Sequence, residues 1–173
     1  MRGYFGIGSE RISKAMNLGA ILRTGHAFGA SFAFTVNAHH RARQVNLSDT
    51  AKSVTHLPLY EWAGIDDIRL PKGCVLVGVE LDNDAVDLPS FRHPLNAAYL
   101  LGPEKGALSA EAKALCAHIV KIPTRFCVNL SVAAALVMYD RVLTHGGHTA
   151  RGVRSGGADR PPPLGGWPPV RSQ

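Results

Sequence analysis

The chain has 173 residues, 46% apolar and 18% charged, with a formal net charge of +6, which suits one domain with a real core and an anionic partner. No apolar run reaches the roughly 18 residues of a membrane span, and the opening MRGYFGIGSER lacks the apolar core and cleavage site of a signal peptide. Cys74, Cys116 and Cys127 fit neither a disulfide framework nor a zinc spacing, so the expectation is a cytoplasmic protein without a membrane or metal partner.

In chain order, YFGIG (Tyr4 to Gly8) reads as a short strand. In NLGAILRTGHAFG, Leu18, Ile21 and Leu22 form one buried stripe, which predicts a helix from about Leu18 to Phe28 with Asn17 as its N-cap. Arg23 and His26 lie one turn apart on another face. Gly19, Gly25 and Gly29 interrupt the pattern although glycine costs a helix interior about 1 kcal/mol relative to alanine, so the stretch predicts a close backbone approach or a ligand. SFAFTV (Ser31 to Val36) reads as a second strand. Asn37 to Thr50 is a polar, basic loop carrying Arg41 and Arg43 and leading to a short helix near Ser48 to Val54. His39 and His40 lie in that loop without acidic or cysteine partners.

LPLYEW reads as an edge strand, because Pro58 lacks a ladder donor. CVLVGVEL (Cys74 to Leu81) and AAYLLG (Ala97 to Gly102) are near-continuous apolar runs, as strands buried on both faces require. A helix from about Ser109 to Ala117 follows, with Ser109 as N-cap and Glu111 in the first turn. HIVKIP reads as a strand and NLSVAAALVMYDRVLT as a long final helix. The alternation predicts an α/β domain over residues 1–145, a mostly parallel sheet flanked by helices. Residues 146–173 form a Gly/Pro/Arg-rich tail, flexible or extended, with Arg151, Arg154, Arg160 and Arg171 against Asp159 alone. It is either a solubilising appendage or a basic arm for nucleic acid.

Ligands in such sheets bind beyond the carboxyl ends of the strands. Three loops stand there, and each alone has a structural reading: GPEKG as a tight turn around a solvated Glu104, IPTRFCVNLS with Asn129 or Ser131 capping the last helix, and the Asn17 stretch with a solvated Arg23. GIGSER lacks the third glycine and the acidic ribose partner of a dinucleotide fingerprint, and no GxSxG, Walker A or HExxH pattern occurs.

Read together, N-x5-R with a following FG, then LLGPEKG, then IP leading to NLSVAAALVMYD, the chain resembles the SpoU (TrmH-like) branch of the SPOUT superfamily of RNA 2′-O-ribose methyltransferases over Tyr4 to Leu143. The resemblance implies an α/β fold with a C-terminal deep trefoil knot, a homodimer, and S-adenosylmethionine bound within the knot. It assigns Asn17, Arg23, Glu104, Asn129 and Ser131 to catalysis. Val79, Glu80, Leu100, Gly102, Ile122, Cys127 and Val128 would form the cofactor pocket. Many family members carry serine where this chain has Cys127, and their loop after IP is often longer.

The implied substrate is RNA. A chain that starts almost at its first strand favours a compact target such as tRNA over rRNA. With 7% aromatic residues, basic loops near Arg41, Arg43 and Arg125 are better candidates for the grip than extensive base stacking. The resemblance assigns activation of the ribose hydroxyl to Arg23. Either Arg23 is forced neutral and acts as base, or it stays charged and fixes a phosphate and the developing alkoxide; arginine's high pKa and bidentate geometry favour the second. The alternative is a non-catalytic RNA-binding homologue that keeps the fold.

Overall fold

The structure, a computed structural model, describes residues 3–40 and 56–146. Its elements are β1 (Tyr4–Glu10), α1 (Ala15–Ala27), β2 (Phe32–Val36), β3 (Leu59–Trp62), β4 (Val75–Val79), β5 (Val86–Asp87), β6 (Asn96–Leu101), α2 (Ala110–Leu115), β7 (His118–Lys121) and α3 (Leu130–His145). All seven strands pair in parallel in the order β3-β2-β1-β6-β4-β7-β5. The edge position read from Pro58 is thus where β3 lies, and the central strands are the apolar runs. The GIGSE stretch is β1 itself and not a turn, which removes the dinucleotide reading.

Alternate residues feed two core layers, as the strand period requires. On one face Phe5, Ile7, Val77 and Tyr99 meet Leu18, Ile21 and Leu22 of α1 and Val137 and Met138 of α3. On the other face Phe32, Phe34, Leu76 and Leu100 meet Leu108 and Ala112 at α2. β7 lies between β4 and β5, and α3 packs on α1, so the two ends of the described chain share one layer.

The first helix corrects the sequence reading at its start. It begins at Ala15, its N-cap position is Lys14 without any side-chain cap, and Asn17 is buried inside the first turn. Its glycines have packing and termination roles. A Cβ on Gly25 would press on Leu57 and Ile7 at 3.1 and 3.2 Å. Gly29 takes φ +75°, and the bonds from Gly29 N to His26 O and from Ala30 N to Gly25 O close the helix as a Schellman motif. The short helix expected near Ser48 to Val54, Arg41, Arg43 and the tail beyond Gly146 lie outside the described residues.

At the amino ends of the strands, α3 carries a fully buried arginine. Arg141 donates from Nη1 to Pro94 O (2.6 Å) and Tyr99 Oη (3.2 Å), and from Nη2 to Leu95 O (2.6 Å) and Tyr4 O (3.2 Å). Its guanidinium lies 5.2 Å from the centre of the Phe5 ring. The network continues from Tyr99 to His93 Nδ1 (2.6 Å) and from His93 Nε2 to Asp140 (2.9 Å). Burial holds His93 below the ordinary histidine range; Asp140 opposes this, while Arg141 and His145 add to it. With His93 neutral the donors run one way, from arginine to tyrosine to histidine to aspartate. Burial pushes the Tyr99 phenol up to about 12, so it keeps its proton.

Arg141→Met nearly keeps the volume but removes the bonds to the Pro94, Leu95 and Tyr4 carbonyls and to the Tyr99 hydroxyl, and a hydrogen bond to a charged group contributes about 1.5–3 kcal/mol. Urea unfolding should show a loss of about 3 kcal/mol or more, whereas Arg92→Met, at an exposed position, should stay within about 0.5 kcal/mol.

Candidate active site

Three carboxylates at the carboxyl ends of the strands hold backbone N–H groups of neighbouring segments. Glu10, ending β1, accepts from Ser109 N at 2.8 Å. Glu80, following β4, accepts from Leu108 N at 2.7 Å and Leu81 N at 3.0 Å. Glu104, in the loop after β6, takes four donors: Ser13 N and Ser13 Oγ on one oxygen, both at 2.9 Å, and Lys14 N (2.9 Å) and Asn17 Nδ2 (3.1 Å) on the other. The N-terminus of α1 lacks a cap and an acidic residue of its own, and Glu104 supplies both from 90 residues away. Burial works to raise its pKa, but the Ser13 backbone, Asn17, the Lys14 backbone and the Ser13 hydroxyl outweigh it and hold the carboxyl below the ordinary value. The solvated turn residue of the sequence reading is therefore a fully engaged clasp.

From Glu104 the polar chain crosses to the third loop. Asn17 donates to Glu104 and accepts from Asn129 Nδ2 at 3.3 Å, so both ends of its buried amide are used. Asn129 caps α3, accepting from Ser131 N (2.9 Å) and Ser131 Oγ (2.7 Å). The capping reading of Asn129 is correct, and so is its link to the other motifs. Residues 17, 104, 129 and 131 form one hydrogen-bonded line across the amino ends of α1 and α3.

Beside this line opens a cleft of about 270 Å³. Val79, Glu80, Gly102, Ile122, Cys127 and Val128 line it together with Asn17, Glu104 and Asn129. Its apolar side continues through Leu101, Leu130 and Ala133, and its rim includes Lys14 and Thr124, none of which the motifs singled out. A local reading could not find Lys14, because its place follows from the Glu104 clasp. At Gly102 a Cβ would come within 3.2 Å of Leu108 N and 3.3 Å of Glu80 Oε2. Only glycine leaves that second clasp undisturbed where the backbone borders the cleft.

Three expected site residues lie elsewhere. Leu100 is fully buried in the layer under α2, and by strand alternation its neighbour Leu101 faces the cleft instead. Ser131 borders a shallow groove between α1 and α3 and reaches the cleft only through Asn129. Arg23 stands exposed on α1, outside the cleft, with no acceptor among the described residues. Six residues after Asn17 on a helix, it points to another face. Among the described residues no group of three or more His, Cys, Asp or Glu side chains could hold a metal ion.

The profile of the SpoU rRNA Methylase family matches residues 5–139. Among curated relatives, the tRNA (guanosine(18)-2′-O)-methyltransferase of Escherichia coli is 28% identical over 136 residues, 76% of this chain and 59% of that protein. The Thermus thermophilus protein of the same name is 31% identical over 139 residues, covering 76% of this chain and 70% of its own. The chain thus spans less than two-thirds of the length of the Escherichia coli protein. Its fold matches that of an AdoMet-bound rRNA methyltransferase from Sinorhizobium meliloti with a TM-score of 0.73, at 22% identity over 83% of this chain and 57% of that one.

The clasp predicts a pH signature. Because the Glu104 pKa is lowered on folding, its stabilisation is present above the ordinary value near 4.5 and is lost as pH falls through the folded value. Glu104→Gln should cost about 1–3 kcal/mol at pH 7. In urea titrations across pH 3–7 the gap to wild type should close as the solution is acidified.

Proposed function

Because the chain belongs to the SpoU rRNA Methylase family, we propose that it transfers a methyl group from S-adenosylmethionine to a ribose 2′-hydroxyl of RNA, with tRNA as the favoured substrate. One observation carries this reading: the residues of three distant motifs, Asn17, Glu104 and Asn129, are hydrogen-bonded in a single line along one cleft. The tRNA preference draws on the printed activities of the two curated relatives.

The cleft suits the cofactor. Its apolar wall of Val79, Leu101, Ile122 and Val128 fits an adenine ring, and the lack of a side chain at Gly102 lets a ligand come close to the backbone there. The cofactor supplies an activated methyl group, so the protein's task is alignment, exclusion of water and handling of one proton. The Glu104 clasp fixes α1 against the loop after β6, and Asn129 fixes the start of α3. Both act as positioning residues, since their polar atoms are already engaged with protein. Arg23 serves by its planar, bidentate donor fork and not as a base. Its guanidinium grips a phosphate beside the acceptor ribose and stabilises the developing alkoxide.

Arg23 cannot act in its own cleft, so the partner's Arg23 completes the site in a homodimer. The surface beside Arg23 supports this. Val132, Leu136, Tyr139 and Leu143 of α3 are exposed apolar residues spaced by four, three and four, the seam of a helix–helix interface. Val132, Leu136 and Tyr139 border one groove with Ala20 and Thr24 of α1 and its C-cap Phe28, and Arg23 is one turn from Ala20. We also infer that the segment through β7 and α3 is threaded as a deep trefoil knot. The insertion of β7 between β4 and β5 and the packing of α3 on α1 support it. Residues 1–145 would be the methyltransferase domain and 146–173 an appended basic tail, in a cytoplasmic protein. A non-catalytic RNA-binding homologue is the second reading, and Arg23's distance from its own cleft is what favours it.

Two measurements decide between them. With labelled S-adenosylmethionine and unfractionated tRNA, wild type should transfer label, while Arg23→Ala, Arg23→Lys and Glu104→Ala should each lose most turnover. Mixed dimers of Arg23→Ala and Glu104→Ala protomers should regain about half of wild-type activity, because one of two sites is intact only if Arg23 acts across the interface. An inactive mixture contradicts the shared site, and inactive wild type contradicts catalysis. Leu136→Asp should convert the dimer to monomer in sedimentation and abolish turnover without unfolding the chain.

A further inference from the structure

The loop between β7 and α3 presents an exposed aromatic ring with no ring partner among the described residues. Thr124 N bonds to Ile122 O at 2.8 Å, and Thr124 Oγ1 donates to Phe126 O at 2.9 Å, which closes a tight turn. Thr124 and Cys127 both line the cleft, so the chain at Arg125 and Phe126 between them runs along its edge, although neither side chain lines it. Phe126 is 77% exposed, the most of any large apolar side chain described. Two other aromatic side chains among the described residues are exposed, and both have ring neighbours. Tyr60 packs on Phe32 and Trp62, and Tyr139 leans on Phe28. Phe126 has none, so a turn with its own internal bonds holds a phenyl ring in water, which forgoes the stabilisation of burial.

We propose that Phe126 is the platform on which a base of the substrate RNA stacks at the mouth of the cleft, with Arg125 on the adjoining phosphate. This rests on the methyltransferase reading above. A ribose whose 2′-hydroxyl enters the cleft carries its base one glycosidic bond from the rim, within reach of a ring there. Arg125 is exposed and has no acceptor among the described residues, and the same holds for the Lys14 ammonium on the same cleft. A cationic rim with one free aromatic face is the combination that grips single-stranded nucleic acid. Stacking tolerates any base, so Phe126 contributes affinity and orientation and leaves base choice to other contacts. The ring also lies outside the α3 seam of residues 132, 136, 139 and 143, which assigns it to substrate rather than to a second copy. The low aromatic content of the chain is compatible with this, since one ring at the rim suffices.

The test compares Phe126→Ala, Phe126→Leu and Phe126→Trp with wild type, using unfractionated tRNA as probe. Phe126→Ala should raise KM for tRNA roughly tenfold, with kcat within about twofold and the calorimetric affinity for S-adenosylmethionine unchanged. Phe126→Trp should restore KM and Phe126→Leu should not, because leucine offers apolar area without a π-face. Arg125→Ala should flatten the salt dependence of tRNA binding by about one ion's worth. An unchanged KM in Phe126→Ala, or equal rescue by leucine and tryptophan, overturns the proposal. A shift of the monomer–dimer balance in Phe126→Ala overturns it too and assigns the ring to the protein interface. If wild type transfers no methyl group, the catalytic reading fails by itself. Fluorescence anisotropy of tRNA binding to the same variants then decides the stacking question separately.

Discussion

The carboxylate of Glu104 is the constraint on which the cleft depends. The first helix begins without a cap of its own, and the loop after β6 must be set against it. One side chain solves both problems, because its two oxygens take four donors from the segment that starts α1. Charge-assisted bonds of this kind are about twice as strong as neutral ones, and the positive end of the helix favours the negative group. Glu80 and Glu10 repeat the device at Leu108 and Ser109. The floor of the cleft is thus fixed by acids gripping backbone, which leaves its wall free to be apolar.

The last helix is held in the same way at both ends. At its start Asn129 caps it and reaches Asn17; near its end Arg141 and Asp140 tie it to the amino ends of β1 and β6 through Tyr4, Leu95, Tyr99 and His93. A helix pinned at both ends presents its exposed stripe in one defined direction. Such rigidity matters wherever a site must be placed accurately, because a 1 Å error in placing a catalytic group can cost a hundredfold in rate.

The parallel sheet was legible because strands such as VLVGV and NAAYLL are buried on both faces and read as unbroken apolar runs. The two-residue β5 has no pattern to read. Asn17 looked like a cap because a local search sees only local partners, and the group that serves the helix start is Glu104, far along the chain. The spacing of Ala134, Val137, Met138 and Val142 marks the buried stripe of α3, and Arg141 falls on it. An arginine there was the available sign of a buried polar network. Arg23 was legible as unusual, yet the motif that groups it with Asn17 does not say that its side chain stands outside the cleft Asn17 lines.

The most direct measurement is a calorimetric titration of S-adenosylmethionine into the wild-type protein and into Gly102→Val. The account predicts saturable binding with one molecule per protomer in wild type. It predicts loss of that binding in the variant, whose added side chain would crowd the Glu80–Leu108 clasp beside the cleft. Equal binding by both proteins, or none by wild type, would contradict the assignment of the clasped cleft to the methyl donor.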